Sequence, residues 1–135
     1  MLFRSQFSPN IQFGSLNFKN PSPDDIPFYP VFRTPDGWSS SDNVTLYTGD
    51  DITSFFSTGE MSRSNRDLFY MSTNYLYQFD EAVGDWVKLN FQFSSLNTIS
   101  AIETSASNIH YLYVGTTDGL LYFSEIGRAS CRERV

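Results

Sequence analysis

Histidine and cysteine are nearly missing: His110 and Cys131 are single occurrences in 135 residues. A lone cysteine excludes an internal disulfide. No run of about eighteen apolar residues occurs, which excludes an obvious helical membrane span. Basic residues are scarce, nine against fifteen acidic. Nucleic acid is therefore not an expected partner, because affinity for a phosphate backbone comes from Lys and Arg neutralising it. Met1 to Asn10 lacks the apolar stretch of a signal peptide, since Ser5, Gln6, Ser8 and Pro9 follow Arg4. What is present is apolar and aromatic: 40% hydrophobic, 17% aromatic and only 18% charged. That balance is too apolar for disorder. Thirteen Phe and eight Tyr, with abundant Ser and Thr, favour strands.

The last ten residues, IGRASCRERV, break this texture. One permitted codon spelling, ATC GGA AGA GCG TCG TGT AGG GAA AGA GTG, resembles a widely used short-read sequencing adapter. Residues 126–135 are therefore set aside as a non-native tail. Without Arg128, Arg132, Arg134 and Glu133 the chain keeps six basic and fourteen acidic side chains, a net −8 instead of −6. Cys131 leaves with the tail, so no thiolate nucleophile or cysteine-ligated metal is expected. A reading frame that runs into an adapter implies a longer protein.

All six prolines lie between Pro9 and Pro35. Helix interiors and central strands both exclude proline. Residues 1–35 are thus expected to be an extended, irregular segment. From Asp36 the texture changes, beginning with the turn PDGW, in which Gly37 is free to take a positive φ. Short runs follow between polar turns: NVTLYTG, ITSFFST, DLFYMS, YLYQFD, WVKLNFQF, TISAIET, YLYVGT and LLYFS. Each has strand length, and none sustains helical periodicity. ITSFFSTGEMSRSNRDLFYMSTNYLYQFD also aligns with ISAIETSASNIHYLYVGTTDGLLYFSE, pairing Ile52 with Ile99, Tyr70 with Tyr113 and Tyr77 with Tyr122. A period near 45 residues with about four strands per unit matches a β-propeller blade. One unit is expected over 52–91, as Ile52–Thr58, Leu68–Ser72, Tyr75–Phe79 and Trp86–Phe91, and an incomplete one over 99–125. The predicted fold is all-β: about two antiparallel blades within 36–125, behind the proline-rich lead-in.

The second copy, with its I-x-A-I strand and L-Y-V-G-T-x-D-G-L run, resembles the propeller repeats of bacterial two-component regulator sensors and related sortilin-type and Asp-box propellers. YLYQFDEAVGDWVKLN is also similar to a kelch blade ending. The resemblance covers Ile52 to Glu125. Two departures bear on the subfamily: Ser72 and Asn74 stand where the second copy has Gly115 and Gly119, and Asp80, Gly84 and Trp86 are spaced too widely for an Asp-box. The glycines fit blade geometry, with Gly115 where a strand packs close to the axis and Asp118-Gly119 in a tight hairpin. A phosphate cradle would need a following helix, and none is expected.

Catalytic candidates are few. His110 stands alone between Ile109 and Tyr111. Asp24-Asp25, Asp50-Asp51 and the group Asp80, Glu81 and Asp85 offer carboxylates for Ca²⁺ without a calcium-loop spacing, and solvated turns explain them better. A sialidase-like enzyme on a related propeller implies an arginine cluster; outside the tail only Arg4, Arg33, Arg63 and Arg66 are available. Asn43-Val44-Thr45 matches a glycosylation acceptor, which matters only in a eukaryotic secretory context. The connections TGEMSRSNRD and TSASNIH are expected on one face of the propeller, so Arg63, Arg66, His110 and Tyr111 are the candidate ligand contacts. No metal or cofactor is expected. The expected function is that of a non-catalytic binding or sensory module recognising a protein, peptide or glycan, with the rest of its own propeller as a further partner. Alternatives are a fragment of a propeller glycoside hydrolase with its catalytic residues elsewhere, and a surface or adhesion protein. Localisation stays open, leaning to an extracellular or periplasmic setting. Two unclosed blades would leave unpaired strand edges, so aggregation of the isolated chain is expected. The raw nucleotide read across codon 125 checks the tail assignment: adapter bases continuing from Glu125 are expected, and a genomic read spelling the same ten codons would overturn it.

Overall fold

The structure, a computed structural model, describes residues 2–4, 11–15, 28–47, 49, 51, 58–63, 68–81, 83–92, 98–108, 111–125 and 131–134. Among these the secondary structure is entirely β, in antiparallel sheets that do not close into a barrel.

A first sheet joins β1 (Leu2–Arg4), β2 (Gln12–Ser15), β4 (Val31–Thr34) and β5 (Asp42–Asn43) in that order. β3 (Phe28–Tyr29) and β6 (Leu46–Tyr47) form a separate two-stranded ribbon. The second sheet is a meander of β7 (Gly59–Met61), β8 (Leu68–Ser72), β9 (Tyr75–Asp80) and β10 (Asp85–Gln92). The third repeats that order with β11 (Ile99–Thr104), β12 (Tyr111–Thr116), β13 (Leu121–Glu125) and β14 (Cys131–Arg134). β7 lies against both β1 and β11.

Side-chain alternation explains how the sheets stack. On β8, Phe69 and Met71 join Phe13, Val31, Leu46, Met61, Tyr77 and Phe79 in a core between the first and second sheets. Leu68 and Tyr70 point the other way, into a core with Leu76, Ile99, Ile102, Leu112, Val114 and Tyr122 between the second and third. All five residues of β8 are therefore buried, whereas β12 alternates exposed Tyr111 and Tyr113 with buried Leu112 and Val114. A strand covered on both faces reads as a continuous apolar run, and a strand covered on one face alternates. LFYMS and YLYV show this difference in the sequence itself.

Aromatic packing fixes the first interface. The Phe13 and Phe69 rings stack at 4.4 Å, Phe79 meets Phe13 edge-on at 5.5 Å, and Trp86 meets Phe79 at 5.3 Å. The Trp86 indole N–H donates to the Val44 carbonyl at 2.6 Å, so the half-buried ring is satisfied. Arg33 on β4 grips Glu81, which follows β9, with two hydrogen bonds, that from Nε at 2.6 Å. Such a forked charge pair adds orientation as well as attraction.

Several expectations change. Residues 1–35 carry four strands rather than one irregular lead-in. Pro30 separates β3 from β4 and Pro35 follows β4, so these prolines punctuate strands instead of excluding them. The first strand of the second sheet is Gly59–Met61; the expected Ile52–Thr58 lies almost entirely outside the described residues. Residues 131–134, set aside with the tail, pair with β13. Ladder hydrogen bonds come from the backbone, so an open edge accepts an extended segment whatever its side chains. Gly115 needs no close approach: an added Cβ would meet Ala101 at 3.5 Å, an ordinary contact. The turn glycines expected at positive φ take it, with 67° at Gly37 and 86° at Gly119.

Tyr70 is fully buried and its hydroxyl has no hydrogen-bond partner in the structure. Burial pushes its ionisation far up, so the phenol stays protonated. An unsatisfied buried hydroxyl costs about 1–3 kcal/mol. Tyr70→Phe is expected to raise the unfolding free energy by about 1 kcal/mol in denaturant titration; a loss of that size would show that the hydroxyl has a partner.

Candidate functional site

The edge strands β7 and β11, which lie against each other, bring two connections together. Thr104, the last residue of β11, is buried, and its hydroxyl serves both ways: it accepts from the Arg63 amide at 2.9 Å and donates to the Met61 carbonyl at 3.4 Å. The Arg63 guanidinium then reaches Glu103 at 2.9 Å, with both side chains about half exposed. On the next connection, Ser105 Oγ accepts from the amides of Ser107 and Asn108, each at 3.2 Å. The Tyr111 amide donates to Asn108 and its carbonyl accepts from Ser105, which closes the loop into β12. These local side-chain bonds give the polar loop a defined shape without regular structure.

Of the candidate ligand contacts, the structure thus puts Arg63 at the seam between the second and third sheets and Tyr111 at the start of β12. The Tyr111 ring meets Phe123 edge-on at 5.3 Å, on the face of the third sheet that points away from the core. Arg66 and His110 lie outside the described residues.

Electrostatics at the seam are uneven. Glu60 on β7 sits opposite Tyr70. Burial raises its pKa above the ordinary carboxylate value, nearby Glu103 raises it further, and Arg63 partly offsets both. Of the four arginines weighed for a carboxylate-holding cluster, the two whose side chains are described are engaged: Arg33 with Glu81 and, at 3.7 Å, with Asp42; Arg63 with Glu103.

A second polar group departs from the solvated turn expected at Asp50-Asp51, because the Asp51 side chain is buried among partners. Asp51 accepts from Lys88 at 2.7 Å, from the Thr73 hydroxyl at 2.9 Å and from the Tyr77 hydroxyl. The Lys88 amine also stands 3.8 Å from the centre of the Tyr75 ring. Burial, then the bond to Asp51, raises the Tyr77 pKa, so this phenol acts as a donor, not a nucleophile. Asp51 and Lys88 are 37 positions apart, and nothing in their local sequence signals the meeting. Among the described residues, no group of three or more His, Cys, Asp or Glu side chains is arranged to hold a metal ion. No described helix is long and apolar enough to cross a membrane.

No protein-family model, curated protein or solved structure matches the chain.

Glu60 gives the seam a pH signature. Its folded pKa is raised, so its contribution to stability is fully present below the unfolded value near 4.5 and is lost as pH rises through the folded value. Glu60→Gln is expected to raise the melting temperature at pH 7, with the gain shrinking as pH falls below 4.5. An equal gain at both pH values would mean that ionisation of Glu60 plays no part.

Proposed function

We propose that the chain is a non-catalytic binding module of propeller type, recognising a protein, peptide or glycan through the connections that meet beside Arg63 and Tyr111. The observation that carries this reading is the pairing of Arg63 with Thr104 and Glu103, which joins corresponding connections of consecutive sheets into one surface. Propellers take ligands where loops of several blades converge. Three four-stranded antiparallel sheets in succession support the blade interpretation. So does the orientation of aligned residues: Tyr70 and Tyr113 both point away from the preceding sheet, while Tyr77 and Tyr122 both point towards it.

The surface offers recognition chemistry. Arg63 presents planar donors, Glu60 and Glu103 present acceptors, and Tyr111 offers an amphipathic ring suited to stacking on a sugar or an apolar side chain. A buried Tyr77 phenol on Asp51 and arginines already paired with carboxylates suit binding better than bond cleavage.

The test is a screen of the purified chain against a peptide display library and a glycan array, followed by titration of the best binder. Arg63→Ala and Tyr111→Ala are each expected to weaken binding roughly tenfold or more, with Tyr47→Ala, on the remote ribbon, near neutral. Retained binding in both variants, or no binder from either library, would overturn the reading.

A further inference from the structure

The first sheet carries a motif that the binding surface does not use. Asn43-Val44-Thr45 is the single N-x-[ST] triplet of the chain without a central proline; Asn20-Pro21-Ser22 has one. Asn43 ends β5, an edge strand of its sheet, and its side chain is exposed. The opposite edge of that sheet is β1, which lies against β7.

Thr45 folds back on Asn43: its amide donates to Asn43 Oδ1 at 3.0 Å, and its hydroxyl donates to the same oxygen at 2.6 Å. An amide nitrogen is a poor nucleophile until a proton leaves it. Two donors on the carbonyl oxygen favour the anion that remains, as hydrogen bonding to a charged form does in general. Asn43 Nδ2 has no hydrogen-bond partner among the described residues, so no bond has to break before it reacts.

The surroundings hold this triplet in place. In the turn that leads to β5, Asp36 accepts from the Ser40 amide at 2.8 Å and from its hydroxyl at 2.6 Å. Thr34 Oγ1 accepts from the amide of Trp38, which holds a φ of 75°. On the other flank the Trp86 indole grips the Val44 carbonyl. A cleft of about 390 Å³ opens beside the triplet, lined by Asn43, Thr45 and Tyr47 on one side and by Gly84 and Asp85 on the other. Small-molecule sites have volumes of about 300–1,000 Å³. Tyr47, 63% exposed, offers a ring on which a sugar can pack.

We propose that Asn43 is an acceptor for N-linked glycosylation, with the first sugar seated in the cleft beside Tyr47. In the transfer, Nδ2 loses a proton to a base of the transferring enzyme and bonds to the anomeric carbon of a lipid-diphosphate-linked oligosaccharide. The bond from that carbon to the diphosphate oxygen breaks, and the diphosphate leaves with the electron pair. The proposal carries a eukaryotic secretory setting with it. A glycan on β5 covers a strand edge that otherwise invites pairing with other chains. None of this rests on the binding reading, and a ligand held beside Arg63 is expected to bind equally with and without the glycan.

Two experiments on the full chain test it. Behind a cleavable secretion signal in eukaryotic cells, the wild type is expected to carry one glycan at Asn43. A glycan-releasing amidase then leaves a carboxylate in place of the amide, read by peptide mass. Asn43→Gln and Thr45→Ala are expected to lose the glycan, Thr45→Ser to keep it, and Asn20 to stay unmodified. Unmodified folded chain from bacteria, given oligosaccharyltransferase and a lipid-linked donor, is expected to be modified at Asn43 without denaturant. A wild type that reaches the medium bare, a glycan that survives Thr45→Ala, or modification only after denaturation would each overturn the proposal. If the chain is not secreted, glycosylation during translation into microsomes is read instead, and its absence counts equally against it.

Discussion

Everything in this fold hangs on β8 being covered on both faces. Phe69 and Met71 are committed to one core, Leu68 and Tyr70 to the other, and no residue of the strand reaches solvent. Because side chains alternate along a strand, a shift of one position would exchange the two sets. The stacked Phe13 and Phe69 rings on one side and the aliphatic row from Ile99 to Val114 on the other therefore hold a single register. The position of Arg63 follows from it: β7 pairs with β8, β11 packs on β7, and the connections leaving both strands emerge together.

Polar groups sharpen what the apolar cores establish. Apolar burial is non-directional and sets no precise rotation of one sheet against the next. Arg33 on Glu81, the Trp86 indole on the Val44 carbonyl, and Thr104 between Arg63 and Met61 are directional, and each crosses a sheet boundary. These contacts lie at different points of the seams, so they act as separate pins rather than one network.

The legible part of this molecule was local. Strands Leu68–Ser72, Tyr75–Asp80, Ile99–Thr104 and Tyr111–Thr116 show in the sequence because alternation and Gly or Asp turns are short-range signals. β2 and β4 were obscured by neighbouring prolines, whose effect depends on which side of a strand end they occupy. Arg63 was singled out because its connection had a counterpart one unit later, and the structure puts it beside Thr104 and Glu103 of β11. Asp51, Lys88 and Tyr77 were not, because their meeting depends on how the chain returns across 26 to 37 positions. Trp38 also escaped notice: the PDGW turn pointed to Gly37, and only the packing over Gly14 shows why the next residue shares its left-handed backbone.

The pairing of β14 with β13 carries an evolutionary consequence. Its register, Leu121 to Arg134 through Ser124 to Cys131, is written in amides and carbonyls, which every residue except proline supplies in full. A meander whose edge position is held this way tolerates drift in that position's spelling, while a strand covered on both faces, such as β8, keeps its apolar composition.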